Sequence, residues 1–120
     1  MPGPRRRVDP EHGREALNRV LEAHTMEPDD LRDAIWFLLE ELVAREPGRS
    51  VEVRIPPYGA VQCIQGPRHT RGTPPNVVET DPMTWVALAT GGTSWPDAVA
   101  EGLVHASGER ADLSGFLPVV

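Results

Sequence analysis

Leu42-Val43-Ala44-Arg45-Glu46-Pro47-Gly48-Arg49-Ser50-Val51-Glu52-Val53-Arg54-Ile55 is the stretch in which the apolar period of the chain changes. Before it, Leu31, Ile35, Leu38, Leu39 and Leu42 recur at helical spacing, widened by Ala34, Trp36, Phe37 and Val43. After it, Val51, Val53 and Ile55 alternate with Glu52 and Arg54, the period of a strand with one buried face. Pro47-Gly48 separates the two regimes and stops the helix. A helix with so wide an apolar face, followed by a half-buried strand, predicts helices laid over one side of a sheet.

Upstream, Pro28-Asp29-Asp30 opens this helix, placing a proline and two acids where the helix dipole favours negative charge. Arg32, Asp33, Glu40, Glu41 and Arg45 leave it a solvent face. An earlier helix is predicted from Pro10 to His24, with Asp9-Pro10 at its start and Leu17, Val20, Leu21 and His24 on one face. Residues 1–8 carry prolines, glycine and arginines without periodicity and read as a tail.

Downstream, Pro56-Pro57-Tyr58-Gly59 is turn chemistry, and Ala60 to Gln65 returns as the second strand of a hairpin. After a loop from Gly66 to Pro75, Asn76 to Thr80 reads as a third strand. Asp81 caps a helix carrying Met83, Trp85, Val86, Leu88 and Ala89, which Gly91-Gly92 ends. Ser94 caps a shorter helix, Trp95 to Glu101, closed by Gly102. Leu103 to Ala106 is a further strand, Ser107-Gly108 a turn, and Glu109 to Phe116 a final turn or two of helix before an apolar end at Leu117-Pro118-Val119-Val120. The order is that of an α+β domain rather than of βαβ repeats. We therefore expect one domain over 9–120, with a helical pair at 9–47 and the sheet with its covering helices at 50–120.

A chain of 120 residues sustains one core without staples. The net charge is −6, and nine arginines face twelve acids in residues 1–60, three face six in 61–120. Neither half is a basic module, which argues against a nucleic-acid partner. Arginine alone supplies the positive charge, for there is no lysine. Cys63 is the single cysteine, so an internal disulfide is excluded. Arg5-Arg6-Arg7 is followed by Val8-Asp9-Pro10-Glu11 rather than an apolar stretch, and the longest apolar run, Ile35 to Leu39, is too short to cross a bilayer. The expected location is the cytoplasm.

Val77-Val78-Glu79-Thr80-Asp81-Pro82-Met83-Thr84-Trp85-Val86-Ala87-Leu88-Ala89-Thr90-Gly91 resembles the segment of sterol carrier proteins in which a strand enters a capped helix that ends at a glycine. Trp95-Pro96-Asp97-Ala98-Val99-Ala100-Glu101-Gly102-Leu103-Val104-His105-Ala106-Ser107-Gly108 is similar to the pattern that follows it there, a short helix, a glycine, a strand and a second glycine. With Val53 to Tyr58 and Gly66 to Asn76, the chain looks most like a small bacterial branch of the sterol carrier superfamily. The resemblance covers roughly Ser50 to Val120, and the two N-terminal helices do not align with the transfer proteins. It implies a mostly antiparallel sheet of about five strands with helices on one face, and an apolar site between the two layers.

In that arrangement Trp85, Val86, Trp95, Val99, Phe116 and Leu117 fall in segments that close over the sheet and become the candidate apolar lining. The competing reading is that the same rings simply fill the core. Gly66-Pro67-Arg68-His69-Thr70-Arg71-Gly72-Thr73 has the wrong glycine spacing and no lysine for a phosphate-binding P-loop. Arg68, His69 and Arg71 still suit a carboxylate or phosphate head group, against the plainer reading of a solvated loop whose arginines pair with Glu79, Asp81 or another subunit.

Cys63 with His69 as its base would make a nucleophile, but a cysteine in an alternating strand is ordinarily a small buried hydrophobe. Histidines 12, 24, 69 and 105 share no ligand spacing, and no serine lies in a nucleophile elbow. No catalytic residue, metal or cofactor is assigned, and nothing demands an enzyme. The functional expectation is non-catalytic binding or transfer of a hydrophobic small molecule of lipid or fatty-acyl type. The alternative is a protein-interaction or homodimerisation module with a filled core and no ligand.

Overall fold

The computed structural model describes residues 6–23, 27–66 and 76–120. Helix α1 (Pro10–Ala23) and helix α2 (Pro28–Arg45) are followed by strands β1 (Val51–Ile55), β2 (Gly59–Cys63) and β3 (Val77–Thr80), helices α3 (Pro82–Thr90) and α4 (Trp95–Ala100), and strand β4 (Val104–Ser107). The sheet runs β2-β1-β3-β4, with β1 and β3 parallel and the two outer pairs antiparallel. The architecture is thus α+β, but the mostly antiparallel sheet of about five strands that the resemblance implied is corrected to a mixed sheet of four strands among the described residues, with one of its three pairs parallel. The hairpin partner β2 occupies one flank of β1, and β3 takes the other in parallel, which requires a crossover connection.

The register explains the alternation. Val53 lies beside Val61 and Val78, Val51 beside Cys63, and Thr80 beside Val104, so one face is apolar and turned to the helices. Glu52, Arg54, Glu79 and His105 fall on the other face, where Arg54 pairs with Glu52. Val51, Val53, Ile55 and Val78 are buried, while Glu52, Arg54 and Glu79 are only partly covered.

The wide face of α2 serves two partners. Leu31, Ala34, Ile35, Trp36, Phe37, Leu38, Leu39 and Leu42 are all buried, because α2 is sandwiched between α1 on one side and β2 and α3 on the other. Gly13 makes the α1 contact possible, since a Cβ there would stand 2.6 Å from Phe37 Cβ. Arg19 donates to both carboxylate oxygens of Asp30 at 3.0 and 2.9 Å, and His12 reaches Asp33 at 3.1 Å. Ahead of α1, the backbone N–H groups of Arg7 and Val8 donate to the Glu40 carboxylate, and the Arg7 guanidinium stacks on Trp36 with 4.5 Å to the ring centroid. Residues 6–8 are therefore docked on α2, a correction to their reading as a free tail.

Asp81 caps α3 by accepting from Thr84 N at 2.9 Å and from the Thr84 hydroxyl at 2.6 Å, and Gly91 ends the helix in the left-handed conformation with φ 84°. Ser94 caps α4 by accepting from Asp97 N. The final helical turns expected over 109–116 do not form. Buried Ala111 and Leu113 anchor this segment to the core, and the Asp112 side chain accepts from Ser114 N at 2.8 Å, a local turn that competes with helix. The apolar end is docked as expected, with Val119 buried and its N–H donating to Ala89 O at 2.9 Å.

Candidate ligand groove

The docked C-terminal segment creates a groove. Residues 114–118 run past the C-terminal end of α3 and the first turn of α4, enclosing a volume of about 250 Å3. Leu88, Trp95, Pro96, Leu117 and Pro118 form its apolar walls. Gly91, Thr93, Ser94 and Ser114 complete the lining, so the polar contribution consists of hydroxyl and main-chain groups. Gly91 is needed for its positive φ, whereas a Cβ there would only come into ordinary contact with Pro118 at 3.7 Å. Trp95 is 9% exposed, and Leu117 is half-buried. These side chains desolvate one another without closing the groove.

Two other hollows lie against β3 and β4. One of about 320 Å3 is bordered by Pro56, Glu79, Asp81, Leu103 and His105, and another of about 410 Å3 runs along Val77, Glu79, Val104 and His105. Both are larger but shallower than the groove, and both carry carboxylate and imidazole groups, which suits them less well to an apolar guest.

Of the six expected apolar lining residues, the groove brings together Trp95 and Leu117. Trp85 and Val86 are sealed in the core at 1% and 2% exposure, and the Trp85 indole donates to Ile35 O at 3.4 Å. Val99 is exposed at 47%, and Phe116 is half-buried against the core. Arg68, His69 and Arg71 lie outside the described residues. Leu88, Pro118 and the three hydroxyl residues escaped the sequence reading. The adjacent helix stop and cap at Gly91 to Ser94 announced where α3 meets α4, but the return of residues 114–118 to that point is a long-range contact with no local signature.

The thiol of Cys63 is buried, and burial, assisted by the nearby Glu46 charge, pushes its pKa up to about 12. A thiol held neutral in this way is a packing group and not a nucleophile. Among the described residues, no three His, Cys, Asp or Glu side chains converge as metal ligands, and no helix is long and apolar enough to cross a membrane.

Among the described residues, a four-stranded mixed sheet with helices on one face and a small apolar groove at the helical margin defines an α+β domain. The family described as "Bacterial SCP ortholog" matches residues 27–119, and the chain belongs to it. The match starts at the residue preceding α2, so α2 is part of the shared domain whereas α1 lies outside the match. No curated protein matches the chain.

Proposed function

We propose that this protein reversibly binds a small hydrophobic molecule in the groove between α3, α4 and residues 114–118, and performs no chemistry on it. The observation that carries the reading is the partly open wall of Trp95, Leu88 and Leu117 in a chain of the sterol carrier family. The driving force is removal of apolar surface from water, worth about 25 cal/mol per Å2, and exchange with solvent or another carrier is an equilibrium step. The setting we assign is the cytoplasm. The uncharged dye N-phenyl-1-naphthylamine brightens in apolar sites and tests the assignment directly. Its emission rises with the wild type and stays low with Leu117→Arg, provided the variant keeps the urea midpoint of the parent. Absence of enhancement with the wild type ends the reading.

One observation favours the interaction module as a second reading. Strand β4 is the last in the sheet order, and His105, Ala106 and Ser107 are exposed, with no Lys, Arg, Asp, Glu or Pro in the strand to discourage pairing. Antiparallel association with a second copy along β4 satisfies its outer backbone groups. Sedimentation velocity across a concentration series separates the two readings. A monomer throughout sets this homodimer aside.

A further inference from the structure

The groove has an electrostatic character that narrows what enters it. None of its described lining residues is charged, and the polar ones present hydroxyl or main-chain groups. The segments that build the groove, residues 82–100 and 112–120, contain no arginine or lysine. The segments that build the groove instead carry Asp97 in the first turn of α4 and Asp112 two residues before Ser114, both exposed. Gly91 marks the C-terminal end of α3, the end with the negative pole of the helix dipole. A carboxylate or phosphate arriving with an apolar tail meets segments that carry two acids and no cation, in a chain of net charge −6. A cation finds no carboxylate within the lining to replace its water. An uncharged polar end can exchange hydrogen bonds with Thr93, Ser114 and main-chain carbonyls. The volume adds a second limit, since about 250 Å3 falls below the roughly 300–1,000 Å3 of sites for drug-sized ligands.

We infer that the groove selects small uncharged amphiphiles, such as alcohols, amides or esters with a short apolar chain, and discriminates against fatty-acid anions. This rests on the groove being the binding site, as proposed above. The test compares 1-octanol, nonanoate and octylammonium, which share an eight-carbon chain, by displacement of N-phenyl-1-naphthylamine at pH 7.5. The expected result is that 1-octanol displaces the dye at a concentration at least ten-fold lower than nonanoate, with octylammonium no better than 1-octanol. Nonanoate or octylammonium binding more tightly than 1-octanol overturns the selectivity while leaving hydrophobe binding intact. No binding of the dye or of any chain overturns both.

The variant Ser114→Arg places a cation at the exposed rim and ties the selectivity to this groove. Nonanoate affinity should rise several-fold relative to that of 1-octanol. An unchanged nonanoate affinity in a variant of parental stability assigns the selectivity elsewhere and overturns the inference.

Discussion

At position 63 a cysteine alternates into the apolar face of β2, opposite Val51, with no exposed surface. With its pKa pushed up to about 12, roughly one molecule in ten thousand carries the thiolate at pH 8. Ellman's reagent should therefore leave the native protein unlabelled over hours and titrate one thiol once urea unfolds it; rapid native labelling would contradict the burial. Asp81 behaves in the opposite sense. Partial burial pushes its pKa up, but the Thr84 hydroxyl and the neighbouring backbone N–H groups outweigh this and hold the carboxyl below its ordinary value. A depressed folded pKa contributes stability above the unfolded value, and that contribution disappears as pH falls from about 4 through the folded pKa. Asp81→Asn should keep the cap yet show a shallower loss of urea midpoint between pH 5 and 3 than the wild type. Asp81→Ala should lower stability by about 0.5–2 kcal/mol at pH 7. Equal pH slopes for the Asp81→Asn variant and the wild type would remove the carboxylate from the account.

Among the elements, those with local signals were legible in the sequence. The caps at Asp81 and Ser94 and the glycine stops at Gly91 and Gly102 place α3 and α4 to within a residue, because the groups that end each helix are adjacent in the chain. Strand direction is a different kind of information. The parallel pairing of β1 with β3 depends on the route taken between residues 63 and 77, which no alternation within either strand encodes. The width of the α2 stripe was visible, but its division between sheet and α1 was not, because one buried face looks like another until both partners are in place. Gly13 sits at that second contact and sets two effects against each other. Replacing it with alanine favours the helix by about 1 kcal/mol in propensity. The added methyl would stand 2.6 Å from Phe37 Cβ and 2.9 Å from Val8 Cγ1, and overpacking at a helix contact costs about 1–3 kcal/mol. Because Phe37 Cβ is fixed to the backbone of α2, the steric term prevails. Gly13→Ala should lower the urea midpoint at unchanged m-value, whereas a raised midpoint would mean that α1 is free to shift.

For the molecule as a whole, the shared domain and the groove lie within residues 27–119, while the segment 6–23 is an outer layer on α2. Of the groove lining, Trp95 and Leu117 were named from the sequence, but their meeting is made by the returning C-terminal segment. What the outer layer does follows from what it hides. Phe37 and Leu38 have no exposed surface, and Trp36 is 9% exposed with Arg7 stacked on it. Ala16, Leu17 and Val20 of α1 are buried in return. Starting the chain at Glu27 leaves the sheet side of α2 covered and uncovers the side that Val8, Gly13 and Leu17 protect. Phe37 alone contributes on the order of 1.5–3 kcal/mol through full burial, so losing its outer contacts withdraws an appreciable part of a stability that is only about 5–15 kcal/mol for a typical domain. The shortened chain should therefore show a lower urea midpoint, bind the anionic hydrophobic-surface dye 8-anilinonaphthalene-1-sulfonate and self-associate at concentrations where the 120-residue chain does not. Its far-ultraviolet circular dichroism should still report the sheet and α2 to α4. A shortened chain with the parental midpoint and no added dye binding would show that α1 rests on α2 without stabilising it, and the buried face of α2 would then have to be accounted for by the sheet alone.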